Sequence, residues 1–318
     1  MDDLAALLDG PRARGAFLLR CVMDAPWAVR LADEAPLTLL SVSHGGLWLW
    51  TEDGAPPLQL GPGDVVVRVG TAPWCIGDDP DRLPVAVILP GQVCVGLDGR
   101  PLEQELSQGV RTWGTGASGA TAFVTGVYEV EGEVPGRLLR ALPPVLVVRA
   151  GELDSPVAAL LEVEIGRQVP GQEAVLDRLL DLLLITVLRH WLDRADDAAP
   201  RWYAGQADPV VGPALRLVQH HPEQPWTVAG LAAAAHVSRS AFARRFTDVV
   251  GQSPVAYLTE WRLALAADLL LDESRTLASV AGQVGYGTPF ALSAAFRRER
   301  GMSPQQWRRS HREAARTS

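Results

Sequence analysis

Short apolar stretches separated by proline, glycine and aspartate fill the first third of the chain. The main stretches lie at 15–23, 27–31, 37–43, 47–50, 65–69 and 85–89. Short strands with frequent turn residues between them are typical of β-sandwiches and β-barrels. The pattern therefore predicts a β-rich N-terminal domain, to which the stretches 121–131 and 145–149 add further strands.

The apolar pattern changes to helical spacing after residue 155. Two stretches, 157–163 and 175–192, are predicted helices, and the second contains an apolar stripe made of Leu176, Leu179, Leu180, Leu183, Leu184, Val187 and Leu188. Residues three and four positions apart lie on one face of a helix. This stripe is wider than one neighbouring helix would cover, so we expect part of it to pack against another subunit. The alternative is packing on the β-domain of the same chain.

One pattern occurs twice in the C-terminal part of the chain. The residues Phe246, Gly251, Ser253, Pro254 and Tyr257 recur fifty positions later as Phe296, Gly301, Ser303, Pro304 and Trp307. A helix with small residues precedes each copy, and this order of helix, turn, helix and Gly-x-Ser-Pro predicts a helix-turn-helix unit followed by another helix. We expect two units, at about 226–249 and 276–300, which can reach two successive major grooves of DNA.

The turns and helix ends of the two units can be predicted in more detail. His236 lies at the first turn, where φ is expected to be positive, and Thr227 and Ser238 are expected to cap the helices on either side. The first helices of the two units are offset by 49 positions and the recognition helices by 50, so the second turn is one residue longer. Ser253-Pro254 begins a linker helix that reaches about residue 271 and spans about 27 Å, so it can hold the recognition helices roughly one DNA turn apart.

The exposed start of each recognition helix contains candidate DNA contacts. They are Arg239, Ser240, Ala243 and Arg244 in the first unit, and Pro289, Phe290, Ser293 and Ala294 in the second. Arg244 is the main candidate for a guanine contact, with a phosphate contact as the alternative. The second set has few hydrogen-bond donors, so it can touch thymine methyl groups or space the helix against phosphates. Arg297, Arg298 and Arg300 are expected to contact the DNA backbone, and the first unit is expected to carry most of the sequence discrimination.

Charge is distributed unevenly between the two halves of the chain. The net charge is −8, but residues 209–318 contain 13 arginines and 8 acidic residues, whereas residues 1–208 contain 16 arginines and 29 acidic residues. The C-terminal part, at +5, therefore suits DNA although the whole chain does not. Every basic residue apart from histidine is arginine, which fits phosphate and guanine geometry; codon bias in a GC-rich genome would give the same composition.

The cysteines and the N-terminus suggest a compartment. Cys21, Cys75 and Cys94 lie at wide spacings that form neither a disulfide framework nor a CxxC pair. The acidic N-terminus lacks the basic start of a signal peptide, and no apolar stretch has the length needed to span a bilayer. We therefore expect a globular cytoplasmic protein without a membrane partner.

Two C-terminal segments resemble the AraC/XylS family of bacterial transcription regulators. They are SRSAFARRFTDVVGQSPVAYLTEWRLALAADLL at 238–270 and VAGQVGYGTPFALSAAFRRERGMSPQQW at 280–307. Leu292 and Arg300 stand where this family usually has phenylalanine. The resemblance implies a tandem helix-turn-helix fold, with base-reading positions at the exposed residues named above. Activation is the usual mode of this family, which implies RNA polymerase as a further partner.

The N-terminal part resembles the cupin sensor domains that are attached to such regulators. The residues that carry this resemblance are Ala25-Pro26-Trp27, Leu60-Gly61-Pro62-Gly63-Asp64-Val65, Pro90-Gly91-Gln92, Cys94, Arg111-Thr112-Trp113-Gly114 and Ala141-Leu142-Pro143-Pro144. Metal-binding cupins usually have a His-x-His pair, a glutamate and a later histidine. Here His44 stands alone and Trp74 occupies the region of the later histidine. We therefore expect no metal, no cofactor and no enzymatic activity.

The aromatic residues of the N-terminal half are candidates for an effector site. Five tryptophans could line an apolar pocket for a small molecule, namely Trp27, Trp48, Trp50, Trp74 and Trp113. Trp48, Trp50 and Trp74, with His44, are the main candidates, and the alternative is that most of these tryptophans belong to the core. Cys75 and Cys94, with His44, could instead form a metal or thiol-reactive site. No spacing supports that site, and lone cysteines in β-domains are usually buried packing residues.

These patterns predict an α+β multidomain protein. Its parts are a cupin-like β-barrel sensor domain at 1–150, a helical dimerisation element at 151–195, a linker at 196–210 and an all-α tandem helix-turn-helix domain at 211–318. We expect a sequence-specific DNA-binding transcription regulator that forms a homodimer and responds to an unidentified effector through its N-terminal domain, with a small molecule as the candidate effector and RNA polymerase as a partner if it is an activator. One alternative is a cupin-type enzyme, or a thiol or metal sensor, with an appended DNA-binding domain. Another is a ligand-free regulator controlled by protein partners.

Overall fold

The computed structural model describes residues 17–109, 111–116, 119–128, 132–153, 155–194 and 200–315. Contacts within the chain divide it into two compact units. The β unit comprises the described residues of 11–130 and 142–194, and the helical unit comprises those of 131–141 and 195–318. The short segment 132–141 thus belongs to the helical unit, although the sequence placed it in the N-terminal domain.

The β unit contains two sheets. Its strands are β1 (Phe17–Met23), β2 (Ala28–Leu31), β3 (Leu37–His44), β4 (Leu47–Thr51), β5 (Leu58–Leu60), β6 (Val65–Val69), β7 (Trp74–Gly77), β8 (Ala86–Leu89), β9 (Val93–Val95), β10 (Ser107–Gly109), β11 (Thr112–Gly114), β12 (Thr121–Tyr128) and β13 (Val145–Val148). A seven-stranded sheet has the order β10-β11-β1-β12-β3-β6-β13, and a six-stranded sheet has the order β5-β4-β7-β2-β8-β9. Most neighbouring strands are antiparallel, but β1 pairs with β11, and β2 with β8, in parallel.

The two sheets share one apolar core. Leu40 and Phe123 of the seven-stranded sheet belong to the same buried cluster as Leu49 and Ile76 of the six-stranded sheet. Successive strand residues point to opposite faces, so one face of each sheet supplies this core. The β-rich, cupin-like fold that the sequence predicted is confirmed. In the described ranges, however, the strand pairings leave two sheets rather than one closed barrel.

The apolar stretches in the sequence located most of the long strands. β6 begins and ends at the predicted residues, and the other predicted strands agree within two residues wherever the structure describes them. The strands β5, β7, β9, β10 and β11 were not predicted. Each has three or four residues, a length at which an apolar pattern is recognised in some strands, as in β2, β8 and β13, and missed in others.

The helices are distributed over both units. They are α1 (Glu103–Leu106), α2 (Glu133–Leu139), α3 (Val157–Ile165), α4 (Gln172–Arg194), α5 (Arg201–Ala204), α6 (Val211–His220), α7 (Val228–Ala234), α8 (Arg239–Val250), α9 (Pro254–Leu269), α10 (Leu277–Gln283), α11 (Pro289–Arg300) and α12 (Pro304–Ala315). Helices α1, α3 and α4 belong to the β unit, and the rest belong to the helical unit. None of the helices in the described ranges is long and apolar enough to cross a lipid bilayer.

The leucine stripe of α4 packs mainly within its own unit. Six of its seven residues are at most 1% exposed, namely Leu176, Leu180, Leu183, Leu184, Val187 and Leu188. Leu180 lies against Gly126 of β12, where an added β-carbon would come within 2.6 Å of Leu180 Cδ2. These six residues therefore pack on the β-domain of the same chain, and a second subunit is not needed to cover them.

Helix α9 is central to the helical unit. Leu263 and Ala267 are buried in one cluster with Leu292 and Phe296 of α11. Tyr257, nearer the start of α9, packs edge-on against Phe246 of α8 at 5.9 Å between ring centroids. The helix has 16 residues, so it spans about 24 Å. It thus joins two cores, one for each helix-turn-helix unit.

Candidate nucleic-acid interface and ligand cavity

The helical unit contains two helix-turn-helix units of the same local geometry. The first consists of α7 and α8, and the second consists of α10 and α11. Helix α10 begins 49 residues after α7, and α11 begins 50 residues after α8, so the extra residue expected in the second turn is present. The equivalent turn residues His236 and Gly285 have φ values of +56° and +78°, which confirms the positive φ predicted for His236.

Hydroxyl side chains cap both helices of each unit. The side-chain oxygens of Thr227 and Ser238 accept backbone amide hydrogen bonds at 3.0 and 3.2 Å. Thr276 and Thr288 accept equivalent bonds at 3.1 Å each in the second unit. These bonds satisfy amides that the start of a helix leaves without an intrahelical partner. The two recognition helices therefore begin at fixed positions after their turns.

The first recognition helix presents polar side chains outward. Arg239, Ser240 and Arg244 are exposed, and Ala243 is half-buried. Phe246, on the opposite side of α8, is fully buried. The exposed set lies in the first two turns of the helix, which is the part that a recognition helix brings to the base edges.

The second recognition helix presents a more apolar surface. Pro289, Phe290 and Ala294 are exposed, and Ser293 is half-buried. The side chain of Phe290 is 83% exposed, whereas Leu292 two positions later is fully buried in the core. A large exposed aromatic at the start of a recognition helix can contact thymine methyl groups but cannot donate a hydrogen bond to a base.

The arginines of the DNA-facing helices differ in their internal partners. Arg245 donates two hydrogen bonds to the carboxylate of Asp208, at 2.7 and 2.9 Å. Within the described part of the chain, Arg239, Arg244 and Arg297 have no ion-pair partner. These three guanidinium groups can therefore bind phosphate or a base edge without first breaking an internal pair.

The structure gives Arg300, expected as a contact to the DNA backbone, partners inside the helical unit. Its Nη1 atom lies 2.8 Å from Oε2 of Glu133, and its guanidinium carbon lies 5.9 Å from the ring centroid of Trp307. Its side chain is only 21% exposed, so its charge is already paired before any contact with DNA. Arg298, in contrast, is exposed and, among the residues that the structure describes, forms its ion pair with its neighbour Glu299, at 2.9 Å.

The β unit contains a cavity of about 520 Å³. Its buried lining is apolar and includes Leu40, Trp74 and Phe123. Half-buried or exposed polar residues complete the lining, namely Gln92, Glu103, Ser107, Arg111, Thr112, Thr125 and Glu173. An apolar chamber of this size with a few polar groups is typical of a small-molecule site.

Only part of the predicted ligand-contact set lines this cavity. Trp74 and Trp113 do so, but His44, Trp48, Trp50 and Trp27 are not among the described residues that line it. Trp48 and Trp50 are half-buried and share one face of β4, while Leu49 between them points into the core. No local pattern in the sequence locates the whole cavity, because its lining residues come from strands that are far apart along the chain.

The three cysteines are buried free thiols. Cys21 and Cys94 line the cavity, whereas Cys75 does not. Burial raises the pKa of all three thiols, which keeps them protonated at neutral pH and lowers their reactivity as nucleophiles and metal ligands. In the described ranges, no three histidine, cysteine, aspartate or glutamate side chains are grouped so that they could hold a metal ion.

Comparison with known proteins identifies both parts of the chain. The Cupin family matches residues 2–193, and a family described as a helix-turn-helix domain matches residues 231–310. An AraC-like transcription regulator of Streptomyces antibioticus is 34% identical over 318 residues, which cover 97% of this chain and 99% of that protein. A similarly described regulator of Streptomyces lividans is 33% identical over 321 residues, covering 97% of this chain and 98% of that one.

A solved structure also matches the C-terminal part. It is the crystal structure of the DNA-binding domain of AdpA, described as a global transcriptional factor, in complex with a target DNA. It is 34% identical and covers 35% of this chain and 100% of its own, with a TM-score of 0.33.

A cupin unit joined to two tandem helix-turn-helix units defines a DNA-binding transcription regulator. The chain belongs to the AraC-like family of transcription regulators.

Proposed function

We propose that this regulator is a transcription activator whose DNA binding is controlled by a small, mainly apolar effector molecule. The observation that supports an effector is the cavity of about 520 Å³, whose lining includes Leu40, Trp74 and Phe123 together with Arg111. The apolar walls favour an apolar body, and the arginine favours a polar or anionic end. Such a molecule acts on DNA binding only through different affinities for two states of the protein.

The two helix-turn-helix units have different roles in this proposal. Arg244, with Arg239 and Ser240, discriminates between base sequences in one major groove. Pro289, Phe290, Ser293 and Ala294 of the second unit seat α11 in the next groove, and Arg297 and Arg298 bind phosphates there. The proposal is supported by the chemistry of the exposed side chains, since guanidinium groups distinguish base edges through hydrogen bonds and apolar groups mainly recognise thymine methyls.

The protein acts as a homodimer in this proposal. Its contact surface is the exposed apolar face of α3 and α4, where Leu160, Val163, Val175 and Leu182 are between 45% and 58% exposed. Val175 and Leu182 are seven positions apart and therefore share one helix face. Burying such a face against a second copy removes apolar area from water, which stabilises association.

Substitution of the exposed face tests the homodimer. The Val175→Glu/Leu182→Glu variant should be monomeric by sedimentation at a concentration at which the parent protein is dimeric. Leu83→Glu is the matched control, because Leu83 is 80% exposed on another surface of the β unit. A monomeric parent protein, or a dimer that survives the double substitution, would contradict this contact surface.

The remaining partners follow from the regulatory role. An activator contacts RNA polymerase, and it acts in the cytoplasm, where bacterial DNA lies. We assign the β unit a binding role rather than a reaction, because its cavity has apolar walls and its thiols are held in the protonated form. Transcription in vitro from a promoter that contains the bound site should increase when the protein is added. A decrease would make it a repressor.

Selection from random DNA tests the central function. The full chain should enrich a recurring site with two subsites about one helical turn apart, since each recognition helix occupies one major groove. A failure to enrich any sequence would contradict sequence-specific recognition.

An apolar fluorescent probe tests the cavity. Anilinonaphthalene sulfonate should bind the parent protein, and Leu40→Trp, which fills the cavity, should remove that binding. Leu83→Trp adds the same ring outside the cavity and should leave binding unchanged. Melting curves of the three proteins show whether Leu40→Trp remains folded. Equal probe binding by all three folded proteins would contradict the effector site.

A further inference from the structure

Helix α2 is part of the helical unit although the chain enters it from β12 and leaves it towards β13. Its residues Val134 and Leu138 are 5% and 1% exposed. The guanidinium carbon of Arg137 lies 6.0 Å from the ring centroid of Tyr257 and 5.9 Å from that of Trp261. Both rings belong to α9, one helical turn apart, so α2 packs along the helix that joins the two DNA-binding cores.

The start of α2 is capped by a side chain from α9. The carboxylate of Asp268 accepts hydrogen bonds from the amides of Glu133 and Val134, the latter at 3.0 Å. Gly132 has a φ of +107°, and a β-carbon there would lie 2.8 Å from Oδ1 of Asp268. Only glycine combines this backbone conformation with so close an approach. Burial of a carboxylate is costly and raises the pKa of Asp268, and two amides that would otherwise lack a partner offset part of that cost.

Ion pairs connect α2 to two other helices. Arg137 Nη1 lies 2.9 Å from Oε1 of Glu260 on α9. Glu133 Oε2 lies 2.8 Å from Nη1 of Arg300, at the end of the second recognition helix. The side chains of Glu133 and Arg300 are 17% and 21% exposed, so this pair is screened less by solvent than a surface pair. Helix α2 therefore contacts both the linker helix and α11.

The helix-turn-helix scaffold by itself does not require an arginine at position 300. The equivalent position in the first unit is Val250, fifty residues earlier, and it is buried at 8% exposure. An apolar residue thus ends α8, the equivalent helix of the first unit, which α2, among the described residues, does not contact through an ion pair. The charge of Arg300 is explained by its contact with Glu133.

We propose that α2 is a brace that fixes the second recognition helix relative to the first, with Asp268, Glu133 and Arg300 as its positioning residues. The proposal rests on the effector-controlled DNA binding proposed above and adds how the control is transmitted. Strand β12 supplies Thr125 and Val127 to the cavity lining, and α2 begins six residues after Val127. In this proposal, occupation of the cavity alters the contacts of α2 through the chain segment that joins β12 to α2.

A change in subsite spacing tests the brace in the full chain. Inserting one base pair between the two subsites of the selected DNA moves them apart by about 3.4 Å and rotates them by about 34°. The parent protein should lose at least about tenfold in affinity on this DNA, a loss similar to that for a mismatched base pair. Glu133→Gln and Asp268→Ala should reduce this discrimination to less than about threefold, because a released α11 can follow the displaced groove.

A matched variant separates the brace from general effects of charge and stability. Glu299→Gln removes one carboxylate charge, as Glu133→Gln does, from the position next to Arg300 in α11. Glu299 pairs with Arg298 rather than with a residue of α2. It should keep the discrimination of the parent protein. Retention of tenfold discrimination by both Glu133→Gln and Asp268→Ala would overturn the brace, and so would an equal loss of affinity on both DNAs with a lowered melting temperature. If the parent protein enriches no site, sequence-specific DNA binding itself fails, which is a separate result.

A second variant tests the connection to the cavity. Thr125→Trp places a ring in the cavity from β12. In the parent background it should change the ratio of the affinities for the selected DNA and the DNA with the inserted base pair by about threefold or more. In the Asp268→Ala background it should leave this ratio unchanged. No change in the parent background, or the same change in both backgrounds, would overturn the connection from the cavity.

Discussion

Arg244 of α8 and Ala294 of α11 occupy equivalent positions, fifty residues apart, on the exposed sides of the two recognition helices. The arginine offers five N–H donors, whereas the alanine offers a methyl group. Both recognition helices begin at a hydroxyl cap and end at a glycine, so their ends do not impose this difference. The duplicated unit therefore presents two different surfaces to DNA.

Removal of the Arg244 side chain should relax the preference for one base pair. We expect Arg244→Ala to cost about 1–3 kcal/mol of binding free energy on the selected site and less on a site changed at the contacted base pair. Competition binding against single-base variants of the site measures this effect. Equal weakening on every sequence would make Arg244 a phosphate contact instead.

Arg297 should contribute to the salt dependence of binding rather than to sequence preference. Its guanidinium has no ion-pair partner among the described residues, so it is available to a phosphate. Arg297→Ala should lower affinity on all sequences by a similar factor and reduce the slope of log K against log salt by about 1. Titrations at several salt concentrations measure the slope. An unchanged slope with altered base preference would contradict a phosphate contact.

Alanine substitutions of Phe290 and Phe296 should have different effects on DNA binding and on stability, although both residues lie in α11. Phe290 is 83% exposed and Phe296 is fully buried. Phe290→Ala should change the free energy of unfolding by less than about 0.5 kcal/mol while weakening DNA binding. Phe296→Ala should cost about 3–5 kcal/mol of stability. Urea unfolding and DNA titration of both variants test this pair, and full DNA affinity in Phe290→Ala would remove Phe290 from the interface.

Asp64 should make the stability of the β unit depend on pH. Burial acts to raise the pKa of Asp64, but the amides of Gly61 and Ala150 at 3.0 and 2.8 Å, and the guanidinium of Arg149 at 2.8 Å, outweigh it and lower the pKa. A lowered pKa in the folded state means that the ionised group stabilises the fold above its unfolded pKa of about 3.9. This contribution is lost as pH falls through the folded pKa.

Replacement of the Asp64 carboxylate therefore has an effect that depends on pH. Asp64→Asn should lower the urea midpoint of the β unit at pH 7, and the difference from the parent protein should shrink as pH falls below about 4. Tryptophan fluorescence follows this transition. A difference that stays constant with pH would contradict the charged role of Asp64.

Several features of this protein were determined by the sequence alone because they depend on residues only a few positions apart. The caps at Thr227 and Ser238, the positive φ at His236 and the glycine-terminated helices before Gly251 and Gly301 are of this kind. The periodicity of apolar residues likewise located the long strands and α4. Each of these signals arises within one helix turn or one strand, so no knowledge of distant contacts was needed.

Only the tertiary structure decided which segments that lie far apart in the sequence pack against each other. The leucine stripe of α4 could face a second subunit or its own sheet, and the space left by Gly126 for Leu180 settled this for the buried residues. The cap on α2 comes from Asp268, 135 residues after the amide of Glu133 that it binds. The cavity likewise joins strands from separate regions of the sequence. Such contacts depend on how the sheets and helices pack, and local patterns of apolar and polar residues do not specify that packing.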